Sequence, residues 1–136
     1  MRRIAVFLLA IGMLWTVPVQ AAELENAVGA LAAKSFKAKI VAIRRLATIG
    51  DVRAVPVLEA LISRRLFVLK SDDSVVIAAK KGGVYIVKNP ITLAEIGEAA
   101  KKDIKKIRVN NRLRGIIRGA LGGLTLLGPD PLKRRR

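Results

Sequence analysis

The spacing of apolar residues changes period twice along this chain, which restricts it to helices flanking a small sheet. Leu24, Val28, Leu31 and Ala32 make one stripe of a short helix over 23–33. Phe36, Ile40, Ile43 and Ala47, with Leu46 beside them, repeat at helical spacing in the next segment. On that register Lys37, Lys39, Arg44 and Arg45 fall on the remaining, solvated surface. Gly50-Asp51 then ends the helix and prepares another, because glycine tolerates a left-handed exit and aspartate favours an N-terminal cap. Ala54, Leu58, Leu61 and Ile62 form a third stripe. Pro56 fits its first turn, where amides have no intrahelical acceptor.

Helix, Gly-Asp turn, then a helix with an early proline is the unit of a HEAT-like repeat. Leu46-Ala47-Thr48-Ile49-Gly50-Asp51 has an echo at Leu124-Thr125-Leu126-Leu127-Gly128-Pro129-Asp130, after a second helical stretch over 111–126. A further helix is expected near Pro131, where the chain instead runs out at Lys133-Arg134-Arg135-Arg136. Between the helical stretches lie β-type runs over 66–69 and 75–79, joined by Ser71-Asp72-Asp73-Ser74. Lys80-Lys81-Gly82-Gly83 turns the chain into a third run over 84–87, which Asn89-Pro90 ends. The expected fold class is therefore mainly α, one and a half HEAT-like units with an inserted small three-stranded β-meander. The expected division is a signal peptide over 1–21, a first helical repeat over 22–65, the β-meander insertion over 66–98, and a basic helix with a truncated second repeat over 99–136. Because about three stacked units are needed to bury a solenoid's apolar faces, so short an array is expected to be molten or to aggregate.

The chain has no Cys and no His. That removes thiol nucleophiles, imidazole bases and Cys/His metal sites. Asp72-Asp73 sits in an expected turn without a partner base, and Glu95, Glu98 and Asp103 are scattered around Lys101-Lys102, where ion pairing is their expected role. No enzyme, no cofactor and no metal is expected.

Met1-Arg2-Arg3 precedes an almost wholly apolar run over 4–17, then Pro18 and Val19-Gln20-Ala21. This has the n-region, h-region and small-residue exit of a secretory signal, with cleavage expected after Ala21. The other reading is an uncleaved anchor, since residues 4–22 approach the roughly 20 needed to span a bilayer. Either reading exports the remainder, to the periplasm or the periplasmic face of the inner membrane. The net charge is +16, and a potential of that sign attracts anionic lipid, acidic protein or nucleic acid. Export excludes nucleic acid from the expected partners.

The charge is densest at Lys101, Lys102, Lys105, Lys106, Arg108, Arg112, Arg114 and Arg118, eight cations in 18 residues against Asp103 alone. As a solvated helix face the run needs no partner. As a contact with an anionic membrane surface it gains roughly 1 kcal/mol per basic residue. As a nucleic-acid contact it lacks interleaved aromatic side chains. Asn110-Asn111 is positioned to cap the helix that follows.

Gly50-Asp51-Val52-Arg53-Ala54-Val55-Pro56-Val57-Leu58-Glu59-Ala60-Leu61 resembles the first helical repeat of urea ABC transporter permeases, in the branched-chain amino-acid transporter permease group. The resemblance continues through Leu66-Phe67-Val68 and Val75-Val76-Ile77. It is most specific over Asp103-Ile104-Lys105-Lys106-Ile107-Arg108-Val109-Asn110-Asn111-Arg112-Leu113-Arg114 and persists to Pro131. It implies an exported, non-catalytic N-terminal extension of helical repeats, followed in that family by a membrane permease core. Two cytoplasmic ATPases and a periplasmic binding protein are the implied partners, and urea the implied solute. The departures are the absence of a permease core and the segment Asn89-Pro90-Ile91-Thr92-Leu93-Ala94, where the family pattern implies a glycine-containing turn. The residues also admit a stand-alone exported basic protein that binds anionic membrane or an acidic partner.

Overall fold

A computed structural model describes residues 19–127. The expected leader up to Pro18, and the Gly128-Pro129-Asp130 turn with the basic end after it, lie outside the described residues. The element order is α1 (Val19–Ala30), α2 (Phe36–Ile49), α3 (Ala54–Ile62), β1 (Leu66–Leu69), β2 (Val75–Lys81), β3 (Val84–Lys88), β4 (Glu95–Ala99), a 3-10 turn (Lys101–Asp103), β5 (Ile104–Lys106) and α4 (Asn111–Leu127). Among the described residues the first buried side chain is Leu24, three positions after the expected cleavage at Ala21.

Local chemistry sets the helix boundaries. Ser35 Oγ accepts the Ala38 N–H at 3.1 Å and starts α2. Gly50, left-handed at φ 70°, ends α2 by donating its N–H to the Leu46 carbonyl. Asp51 shapes the following turn rather than capping α3, because its carboxylate accepts the Arg53 N–H at 2.9 Å and pairs with the Arg53 guanidinium at 2.7 Å. Asn110 Oδ1 accepts the Leu113 N–H at 2.8 Å and caps α4.

The buried face of α2 is Lys39, Ala42, Ile43 and Leu46, with Ile40 and Ala47 only half-buried and Phe36 exposed. Two neighbours cause this rotation from the expected stripe, since α2 packs against α1 on one side and α4 on the other. In turn α4 packs on α3, burying Leu113, Ile117, Ala120 and Leu124. Those positions recur at i, i+4, i+7 and i+11, a single helical stripe. Helix α4 therefore covers the apolar faces of both α2 and α3.

The expected fold class is overturned in the middle of the chain. A five-stranded antiparallel sheet in the order β4-β3-β2-β1-β5 replaces the three-stranded insert, making the fold mixed α/β rather than a helical repeat. The two added strands lack strand-like patterning for identifiable reasons. β4 reads Glu-Ile-Gly-Glu-Ala, lies mostly exposed at one sheet edge and pairs with β3 through an irregular register. β5 is three residues long, buries only Ile104 and sits inside the basic run that resembled a helix.

The sheet cannot be flat. Its edge strands are joined between Ala99 and Ile104, five Cα steps that reach at most about 18 Å fully extended, and the 3-10 turn shortens that reach. Four inter-strand gaps in a flat sheet need about 19 Å. Coiling of the sheet shortens the separation of its edges, and its two faces carry separate cores. Leu66, Val75 and Ile77 face the helices and join their core. Phe67, Val76, Ala78, Val87 and Ile104 form the second core on the other face, with Leu69, Tyr85 and Ala99 around them. The Phe67 and Tyr85 ring centroids lie 5.6 Å apart, within the range of favourable aromatic pairing.

After β3, Asn89 Oδ1 accepts the N–H groups of Ile91 and Thr92 at 2.9 and 3.0 Å. Leu93 then takes the left-handed conformation, φ 63°, that a glycine would adopt without strain.

Candidate functional site

The eight basic residues expected to act together are spread over four elements. Lys101 and Lys102 lie exposed on the 3-10 turn, Lys105 and Lys106 on edge strand β5, and Arg108 in the loop after it. Arg112, Arg114 and Arg118 are on α4, with Arg114 half-buried. The fold brings Lys105, Lys106 and Arg108 together around a cavity of about 300 Å³, which Ala32, Ala33, Lys34, Lys39, Val68, Asp73 and Ile107 also line. Lys101, Lys102, Arg112, Arg114 and Arg118 do not line it.

Strand alternation orders the β5 side chains. Ile104 joins the second core, Lys105 lies opposite Val68, and the Lys106 Nζ sits 5.7 Å from the Phe67 ring centroid. The loop before α2 supplies Lys34, and α2 itself supplies Lys39. The first turn of α2 has no acidic residue to offset the positive end of its macrodipole.

Lys39 is the exceptional member. It is 4 % exposed and is the one buried charged residue among those described. Its Nζ donates to the Arg108 carbonyl at 3.1 Å and stands 5.0 Å from the Phe36 ring centroid. No described carboxylate is paired with it, since Arg53–Asp51 is the one ion pair among the described residues. Burial, and after it the positive charges of Arg108 and Lys105, hold the Lys39 pKa below the ordinary lysine value. Sequence reasoning placed Lys39 on the solvated face. The 39/42/43/46 stripe was present in the sequence, but a lysine within it favours the rival register on hydrophobicity alone.

Asp72 lies in the expected turn, whereas the ion pairs expected of Glu95, Glu98 and Asp103 are not formed among the described residues. Asp72 accepts the Ser74 N–H at 3.1 Å and the Ser74 hydroxyl at 2.7 Å, which ties it into the β1–β2 turn. Among the described residues no group of three or more acidic, His or Cys side chains is placed to hold a metal ion. The cavity, lined by four lysines and one arginine against Asp73, can attract and hold negative charge. A larger open groove of about 710 Å³ between α1 and α2 has a floor of small apolar residues, including Gly29, Ala30, Ala38 and Ala42. No described helix is long and apolar enough to cross a membrane.

No known protein family matches the chain, and neither does any curated protein or solved structure.

Proposed function

We propose that the chain is the extracytoplasmic N-terminal part of a urea-type ABC transporter permease, serving solute import as a non-catalytic docking module. The reading is supported by the resemblance over 50–61 and 103–114 and by the secretory pattern of the first 21 residues. The observation that carries it is that the stretch resembling the family most, Asp103 to Arg114, also builds the basic rim. That stretch holds Lys105 and Lys106, the carbonyl that receives Lys39, and the Asn110 cap of α4. A docking role needs a charged, exposed surface and does not depend on stacked repeats. On this reading the membrane core, the ATPases and the periplasmic binding protein are the partners, and conduction belongs to the core.

The test is photocrosslinking from a probe at Lys101 or Lys102 in a reconstituted urea-type transporter. The expected product joins this chain to the permease core or the binding protein, and reversing the charges at Lys105 and Lys106 diminishes it. Recovery of the full-length chain from the cytosol with its leader intact overturns the proposal.

A second reading is favoured by α4. Because Leu113, Ile117 and Leu124 complete the helical core from within, the unit has the packing required to stand alone as an exported basic protein. It would then bind anionic vesicles or an acidic protein without other transporter subunits.

A further inference from the structure

The cavity between the loop before α2 and strand β5 combines features that a solvated charge run does not need. Lys34, Lys39, Lys105 and Arg108 meet around it, and Asp73 is the one acidic side chain in its lining. Lys39 is more than nine-tenths buried, yet among the described residues one hydrogen bond uses only one of its three ammonium donors. Buried charges are ordinarily paired or hydrogen-bonded to satisfaction. We propose that this cavity is a binding site for a phosphate group, with Lys39 as its buried anchor and Lys34, Lys105 and Arg108 at its rim.

Three lysines and one arginine give four cationic donors, and lysine binds phosphate oxygens as a point charge. A phosphate group also brings more negative charge to a lining with a surplus of cations. The volume, about 300 Å³, lies at the lower end for small-molecule pockets, which suits a phosphomonoester or a lipid headgroup as well as the free ion. An anion seated here would relieve the mutual repulsion of Lys39, Arg108 and Lys105. The inference stands apart from the transporter reading, since it concerns what the cavity holds and not which assembly the chain joins.

The test uses the full chain and two probes. Inorganic phosphate is titrated by calorimetry at constant ionic strength. Vesicles of phosphatidylcholine containing phosphatidic acid are compared by flotation with vesicles of matched surface charge containing phosphatidylglycerol. The expected result is saturable binding of phosphate, or selective binding of phosphatidic acid, weakened about tenfold or more by Lys39→Met and Lys105→Gln and unchanged by Lys80→Gln on β2. Phosphate binding identifies the free ion or a soluble monoester as the source; selectivity for phosphatidic acid without it identifies a lipid headgroup. Should Lys39→Met fail to fold, Lys105→Gln and Arg108→Gln decide, because both side chains are exposed. Absence of phosphate binding together with equal, variant-insensitive attachment to both vesicle types overturns the proposal. Phosphate binding that neither Lys39→Met nor Lys105→Gln alters also overturns it.

Discussion

The Lys39 ammonium donates to the Arg108 main-chain carbonyl at 3.1 Å, linking α2 to the loop after β5 across 69 positions of sequence. One neutral acceptor does not replace the hydration an ammonium loses on burial. Burial therefore leads in lowering the Lys39 pKa, followed by Arg108 and Lys105. Between the folded value and the unfolded value near 10.5, the unfolded chain binds the extra proton, so this group's contribution to stability rises with pH through that window. Below the window it opposes folding. Lys39→Met keeps an aliphatic stem and removes the charge, and with it the desolvation cost of burying that charge. The variant is expected to be at least as stable as the parent at pH 7, with the difference narrowing as pH approaches 10.5. Urea midpoints of both proteins across that range check it, and the difference between them cancels the titration of the exposed lysines.

Three described non-glycine residues stand in the left-handed region, Arg64, Asp73 and Leu93, of which aspartate tolerates it best. Arg64 stands at φ 60° after α3, where the Arg65 N–H closes back on the Ala60 carbonyl at 2.7 Å. Leu93 stands at φ 63° and is 46 % exposed. A side chain in the left-handed region costs about 1–2 kcal/mol, partly offset by the greater freedom glycine has in the unfolded chain. Arg64→Gly and Leu93→Gly are each expected to raise stability by about 0.5–1 kcal/mol. Gly50→Ala, at φ 70°, is expected to lower it by about 1 kcal/mol. Chemical denaturation of the three variants checks both directions.

The parts of the fold legible in the sequence are those whose neighbours lie close by in the chain. The Gly50 helix stop, the Pro56 position and the first three strands follow from local period and turn chemistry. β4 and β5 were not legible because their stability comes from pairing with β3 and β1, so their own residues need not alternate. Glu95, Gly97 and Lys105 give no local strand signal. The site was half-legible for the same reason. Lys105, Lys106 and Arg108 announced themselves as a charge run, while Lys34 and Lys39 join them only through the fold.

Helix α4 combines a full apolar stripe with four glycines on its other faces. A Cβ built at Gly115, Gly119, Gly122 or Gly123 meets nothing within 4 Å, so alanine fits without a clash. Each glycine in a helix interior costs about 1 kcal/mol relative to alanine. Gly119→Ala is expected to raise stability by about that amount. Leu113→Ala, at a position with no exposure, is expected to cost about 2–5 kcal/mol. Opposite signs of that size on neighbouring turns would show that α4 is held by its stripe and not by helix propensity. Destabilisation by Gly119→Ala would instead reveal a close contact on the glycine face. Thermal unfolding of both single variants provides the comparison.

Strand β5 depends on one side chain. Ile104 is 6 % exposed within the second core, while Lys105 and Lys106 project outward and add no apolar burial of comparable size. On either side of the strand, the Lys70 N–H donates to the Asp103 carbonyl at 3.0 Å and the Ile107 N–H to the Leu66 carbonyl at 3.1 Å. Ile104→Ala removes the apolar anchor between these two bonds, at an expected cost of about 2–4 kcal/mol. The loss should be local first, because β5 is an edge strand and the β2–β3 hairpin does not rely on it. Native-state hydrogen exchange is therefore expected to speed up at Lys70 and Ile107 well before it does at Ala79 or Ile86. Uniform acceleration across the sheet would mean that closure of the coiled sheet, and not the edge strand alone, rests on Ile104. Phosphate affinity should fall with the same substitution, since freeing β5 moves Lys105 away from Lys39 without altering either charge.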